Sequence, residues 1–418
     1  MNESHAGGAG RARAALPGTL LVALVAVSVG AALLALSGAP SGPPPGATSG
    51  TVIVAGDTVP APGPIGPTTF VHPGPFAAGE ATLALPGGGA PVEVWYPATP
   101  ASVKGRPPAT YDIGDWLPAA LKARLPKGFS LSYPTGAYRG VPVAPGRFPL
   151  VVFCHGFSGF RDQSTFLTSR LATWGFVVAA PDFLDHDLTA VLSGHLVAST
   201  AADVAQVEST ISLMVSAGSS PQGAFSGHVD RTKVAVIGHS LGGEVAEQVA
   251  AVDPVVKTFV GMAGASVGAL GARSAAPSGQ VPDKPGMLMV GTADHVVSSA
   301  SIVRAYHDMV APKRLVMLQG AGHLAFSDIC ELAPGQGGLL GVAKEVHITV
   351  PAALVPLASD GCQAGDLSMA VAWSVIRQAV TAQLRSALGF DPPGAGLSGL
   401  RQVFGTALAL NEATGPTP

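Results

Sequence analysis

The residue types that nucleophilic catalysis requires occur in the order serine, aspartate, histidine at Ser240, Asp294 and His323. Ser240 lies in Gly238-His239-Ser240-Leu241-Gly242-Gly243, after the apolar run Val234-Ala235-Val236-Ile237 and before a helix-forming run from Glu244 to Ala251. A G-x-S-x-G match alone is weak, but a strand before it and a helix after it are the setting of a nucleophile elbow. There the serine rides a sharp turn, and side chains two residues either side of it would collide between strand and helix. The helix N-terminus that follows favours negative charge developing beside the serine. The plainer alternative is a glycine-rich turn whose serine only caps the helix.

A serine hydroxyl is a poor nucleophile at neutral pH, so it needs a base, and the base needs an orienting acid. Leu288 to Asp294 reads as a buried strand with an aspartate just past its end, and Val316 to His323 reads the same way with a histidine. His323 would take the Ser240 proton through Nε2 while Asp294 accepts from Nδ1-H. Rivals stand nearby: Asp283 precedes its strand, Asp328 could fix the local loop, and His295 adjoins Asp294 as a loop residue. An oxyanion needs backbone N-H donors, one after the nucleophile and one from an earlier strand-to-loop junction. Leu241 supplies the first, and Phe157, in His155-Gly156-Phe157-Ser158-Gly159 after the run Leu150 to Cys154, is the best candidate for the second. The Phe157 ring is also placed to wall an acyl pocket.

These residues need a scaffold of short buried strands with helical crossovers. Pro149 to Cys154, Val177 to Ala180, Lys233 to Ile237, Gly286 to Val290 and Arg314 to Leu318 are apolar or β-branched runs of strand length. Such runs suit a parallel sheet buried on both faces. Gln163 to Trp174 and Thr200 to Val215 supply helices between them. The alternation predicts an α/β fold with a mostly parallel twisted sheet and helices on both faces. Ala81 to Leu85 and Val92 to Pro97 predict an antiparallel opening hairpin, Trp116 to Leu125 a short helix within an insertion from Ala98 to Arg147, and Asp366 the N-cap of a last helix running to Leu388. Leu367, Val371, Val375 and Ala379 mark that helix's apolar face.

Domain boundaries follow composition. Residues 1–37 hold Arg11 and Arg13 ahead of an apolar stretch from about Thr19 to Leu36, the order of an export signal. Cleavage near Ser37 or Ala39 and retention as a membrane anchor are both open, the stretch lying near the roughly 18 residues needed to span a bilayer. Residues 38–67 are a Pro/Gly-rich linker, 68–392 the catalytic domain, and 393–418 a C-terminal tail. Charged residues make up 12% and net charge is -3, with no basic run, which excludes a nucleic-acid partner on electrostatic grounds. Of three cysteines, Cys154 sits in an apolar run, leaving Cys330 and Cys362 to pair in an exported chain or to remain buried thiols. Asp185-His186-Asp187 could be read as a metal cluster, but neighbours on one loop rarely converge on an ion, and a solvated loop is the better account. No cofactor or metal is expected.

Val94-Trp95-Tyr96-Pro97, His155 to Gly159, Gly238 to Gly243, Gly291 to Asp294 and Gly322-His323-Leu324-Ala325-Phe326-Ser327-Asp328 together resemble bacterial platelet-activating-factor acetylhydrolase-like and dienelactone-hydrolase-like α/β hydrolases. The resemblance spans roughly Ala81 to Phe390 and implies an α/β-hydrolase fold and cofactor-free hydrolysis of carboxylic esters, small or lipid, through Ser240, Asp294 and His323. Dienelactone hydrolases proper use cysteine where this chain has Ser240, and Glu244 stands where small residues are more usual. Other readings of the same residues are a secreted polyester or cutin hydrolase, a lipase, and an inactive hydrolase scaffold used for binding.

Overall fold

The computed structural model describes residues 63–195, 197–265, 281–333 and 338–415. The export segment and nearly all of the linker lie outside the described residues. Among those described, no helix is long and apolar enough to cross a membrane.

Strand runs fall where β-branched and apolar residues cluster. In chain order they are β1 (Ala77–Ala84), β2 (Pro91–Ala98), β3 (Thr110–Asp112), β4 (Ser132–Pro134), β5 (Tyr138–Arg139), β6 (Phe148–Cys154), β7 (Val177–Pro181), β8 (Val229–His239), β9 (Val256–Met262), β10 (Gly286–Gly291), β11 (Lys313–Leu318) and β12 (Leu408–Thr414). Ten form one sheet in the order β12-β11-β10-β9-β8-β6-β7-β2-β1-β5, while β3 and β4 pair apart. From β11 through β7 the neighbours are parallel; β12 on one side and β2 on the other run antiparallel to them, and β1 pairs antiparallel with β2.

Alternation along the central strands sorts their side chains onto two faces. Val151, Phe153, Val178, Ala180, Ala235 and Ile237 face a core shared with the helices Thr165–Thr173 and Met369–Ala387. Leu150, Val152, Val177, Ala179, Val234 and Val236 face the opposite core, filled by the helices Thr200–Ser219, Leu241–Val252 and Ser299–Asp308. Burial on both faces is why these strands carry no polar alternation.

Four departures from the sequence reading have local causes. β9 was not expected: its run is broken by Lys257 and Gly261, and Gly261 is required because a Cβ there would lie 2.5 Å from Gly264 O. The expected tail supplies β12, which pairs along β11 from Lys313↔Thr414 to Leu318↔Leu408, with Asn411 Oδ1 accepting from Arg314 Nη1 at 2.8 Å. Asp366 does not cap the last helix. It accepts from Gln363 N at 2.8 Å, the helix begins at Met369 after Ser368, and Val371 is turned to solvent while Ala372, Val375, Ile376, Ala379 and Val380 are buried. Trp116 belongs to a 3-10 turn, Ile113–Trp116, separate from the short helix Ala119–Lys122.

Candidate active site

The parallel strands deliver their C-terminal ends to one edge, where ligands bind in open α/β sheets. β8 ends at His239, and Ser240 follows with φ 57° and ψ -125°, a left-handed conformation that costs a non-glycine residue of order 1–3 kcal/mol. The turn is held by Ser240 N donating to Met262 O at 2.8 Å and by close packing that excludes side chains. A Cβ on Gly238 would lie 2.0 Å from Gly242 O, and one on Gly242 would lie 2.1 Å from Cys154 O. The two flanking glycines therefore exist for each other and for β6. Ser240 is partly exposed on this edge.

Beyond β10 and β11 the sheet delivers Asp294 and His323, whose Oδ2 and Nδ1 are 2.9 Å apart, both side chains buried. Asp294 Oδ1 accepts from the N-H groups of Val296 and Val297 at 2.9 and 2.7 Å, which fixes the carboxylate plane. With Nδ1 engaged, Nε2 of His323 is the atom left for proton exchange. Ser240 Oγ makes no hydrogen bond among the described residues; in unliganded sites such contacts often tighten only with substrate.

The backbone of His323 is held by two groups that sequence reasoning missed. Asp360 Oδ2 accepts from His323 N at 2.8 Å, and Asp360 O accepts from Leu324 N at 2.8 Å. On the other side His239 lies with its ring 4.7 Å from that of His323. Gln163 Nε2 donates to His239 Nδ1 at 3.0 Å, leaving Nε2-H to donate to His323 O at 3.0 Å. Burial drives the His239 pKa well below the ordinary imidazole value, so it stays neutral and keeps this tautomer.

The rival residues are placed elsewhere. Asp328 is buried and accepts from Thr165 N, Thr165 Oγ1 and Phe166 N at the start of a helix, its carboxyl pushed up to about 7 by burial. His295 is exposed and paired with Asp360 at 2.7 Å. Asp283 precedes β10 on the surface.

The loop after β6 passes so close to the nucleophile that a Cβ on Gly156 would be 2.8 Å from Ser240 Cβ. His155 sets its backbone. Its Nε2 accepts from Phe183 N at 2.9 Å, so Nδ1-H donates to Gly156 O at 2.8 Å, and Gly159 N donates to the same carbonyl at 2.9 Å. Because a trans peptide points its C=O and N-H in opposite directions, the Phe157 N-H is turned away from the His155 ring. Among the described residues neither Phe157 N nor Leu241 N donates to a protein acceptor. Burial lowers the His155 pKa to about 3, so this arrangement persists at any working pH. The Phe157 ring stacks on His186 with centroids 6.1 Å apart.

His186 is not in a solvated loop. It is buried, with Nε2 3.1 Å from Asp203 Oδ2, while Asp187 caps the helix Leu188–Leu192 by accepting from Ala190 N at 2.7 Å. The loop's far end is anchored by an ionic network that pattern reading did not detect, because its charged members come from β1, β2, β5, the loop after β6 and the end of β7. Arg161 contacts Asp182, Glu93 and Asp162 and lies 4.6 Å over the Trp116 ring. Arg139 contacts Glu80 and Glu93. Glu80, Glu93 and Asp162 have carboxylate oxygens within 4.8 Å of one another. Burial, opposed by the Thr135 hydrogen bond and reinforced by Glu93, raises the Glu80 carboxyl to about 7.

Cys330 and Cys362 form a disulfide with Cα atoms 5.1 Å apart, and Cys154 is a buried free thiol. Glu244 is buried, with Gln248 Nε2 donating to it at 3.2 Å.

Residues 135–329 match the Dienelactone hydrolase family. No curated protein matches the chain. Among solved structures, a ferulic acid esterase from Streptomyces cinnamoneus aligns over 79% of this chain and 93% of its own, with 23% identity and a TM-score of 0.50, a likeness of fold.

Proposed function

On the premise that the chain carries a dienelactone hydrolase family domain of the α/β-hydrolase fold and is a hydrolase, we propose that it is an exported serine esterase acting on carboxylic esters. Ser240 Oγ attacks the ester carbonyl as His323 Nε2 takes its proton, and Asp294 holds the ring and stabilises the imidazolium. The N-H groups of Phe157 and Leu241 receive the oxyanion, aided by the N-terminus of the helix Leu241–Val252. His323 returns the proton to the departing alkoxide, leaving an acyl group on Ser240. Water, deprotonated by the same nitrogen, then releases the acid. No cofactor takes part.

The observation that carries this reading is the 2.9 Å contact of His323 Nδ1 with Asp294 at the sheet edge where the Ser240 turn also emerges. Export is supported by Arg11 and Arg13 before the apolar stretch and by a disulfide, which persists in oxidising compartments. Stopped-flow hydrolysis of p-nitrophenyl acetate tests the chemistry. It should show a burst approaching one equivalent of p-nitrophenolate per protein, absent in Ser240→Ala. A burst that survives the substitution would remove Ser240 from its role.

A further inference from the structure

Among the described residues an apolar cavity lies in a cap beside the site. Two segments form it: residues 113–131, from the insertion after β3, and residues 339–358, between β11 and the last helix. Arg124 Nη2 bridges them by donating to His347 O at 2.6 Å. The cavity measures about 130 Å³, and its walls are aliphatic or aromatic, among them Leu125, Leu188, Ile329, Leu340 and Ala343. Among the described residues no charged side chain lines it. That excludes an anionic or sugar-like occupant, which would leave its polar groups unpaired.

Two stretches of backbone tie the cavity to the reacting atoms. Ser158 lines it and stands two residues after Gly156, which is packed on Ser240. Leu357 and Ala358 line it and lead directly to Asp360, which holds the His323 backbone. Each link is two or three residues, so Ser158 lies within roughly 7 Å of Gly156 and Leu357 within roughly 10 Å of Asp360. The Cys330–Cys362 disulfide, beside Ile329, pins the 339–358 segment at the same place.

We propose that this cavity binds the aliphatic chain of an ester held at Ser240, selecting chains longer than six carbons. The inference rests on the esterase reading and specifies its substrate class. The size follows from volume: a dry cavity of roughly 150 Å³ accepts a six-carbon hydrocarbon such as benzene, and the carbons that span from the carbonyl to the mouth add to those six. Each methylene moved from water into such a site multiplies affinity by about fourfold when fully buried. Partial burial still yields a steep profile that stops when the cavity is full.

The test is kcat/KM on p-nitrophenyl esters from acetate to palmitate, for the wild-type chain and for Ala343→Phe, with hexyl acetate and ethyl hexanoate to distinguish an alkyl from an acyl occupant. The wild type should rise at least tenfold from acetate to a maximum beyond hexanoate and fall again toward palmitate. Ala343→Phe should lose about tenfold on octanoate and stay within twofold on acetate. A wild-type profile that falls steadily from acetate, an equal loss on both esters in the variant, or a preference for methyl ferulate over every aliphatic ester would overturn the proposal. If no ester is turned over, the esterase reading fails separately, and 1-hexanol then decides the cavity. Raising the melting temperature of the wild type but not of Ala343→Phe supports it, and raising neither or both overturns it.

Discussion

The floor of the site and its cap are built on different principles. On the floor, Ser240, Asp294 and His323 follow the ends of β8, β10 and β11, and each neighbouring atom is constrained: a methyl group on Gly238 or Gly242 has no space, and both Asp294 oxygens are engaged. The cap's two segments are bridged by the exposed Arg124–His347 hydrogen bond, and a disulfide and an apolar cluster around Trp116, Phe160, Leu324 and Ile329 hold them in place. A floor this constrained can perform one kind of chemistry and tolerates little change. A cap made of interchangeable apolar contacts can change what is bound without touching the chemistry.

Breaking the floor should have the largest effect. His323→Ala is expected to lower kcat by about 10⁴- to 10⁶-fold, as removal of a catalytic base does where the groups act as a unit. Circular dichroism should show an unaltered fold, and loss below tenfold would mean another base serves. Asp294→Asn keeps the shape but offers His323 the wrong hydrogen-bonding group, so kcat should fall by about 10⁴-fold. Activity equal to wild type would hand the orienting role to another residue.

Loosening the cap should leave the chemistry largely intact. The Cys330→Ser/Cys362→Ser double variant opens a loop of 32 residues, with a loss of about 3–4 kcal/mol on the chain-entropy model. Denaturant unfolding should report that loss while acetate hydrolysis at 20 °C changes by less than threefold. A collapse of acetate hydrolysis in a folded double variant would show that the cap positions the catalytic groups.

The smallest effect belongs to the ionic anchor under the oxyanion loop. Glu80 is raised from 4.5 to about 7 in the fold, so its protonated form favours the folded state. That contribution is complete below about 4.5 and is lost as pH rises through about 7. Glu80→Gln, which cannot ionise, should narrow the fall in melting temperature between pH 5.5 and pH 8 by about 2–4 °C. An identical pH dependence in the two proteins would show that Glu80 ionises normally.

This contrast also explains what could be read from the chain. The elbow and the two strand ends were legible because each is a local pattern: an apolar run, a tight turn, one polar residue at a fixed offset. The pairing of Cys330 with Cys362 was one of two open readings, and the structure has the bond. Asp360 was invisible, since the bond to His323 N joins residues 37 apart in sequence with no recurring motif between them. Glu80, Glu93 and Asp162 have no spacing signal in the sequence; the pairing of β1 with β2 brings the first two together, and the loop after β6 adds the third. β12 was not marked as a strand because the short apolar piece around Leu400 to Leu410 passes into Asn411, Glu412 and Thr414 with no alternation, and only its pairing with β11 defines it.

The central claim, that Ser240 is the nucleophile of an acyl-transfer site, is tested most directly by covalent trapping. The wild-type chain treated with a fluorophosphonate and digested for mass spectrometry should carry one adduct, on the peptide containing Gly238-His239-Ser240-Leu241-Gly242, with ester hydrolysis lost in proportion to labelling. An adduct on a different residue, or full labelling of Ser240 with hydrolysis undiminished, would contradict the account.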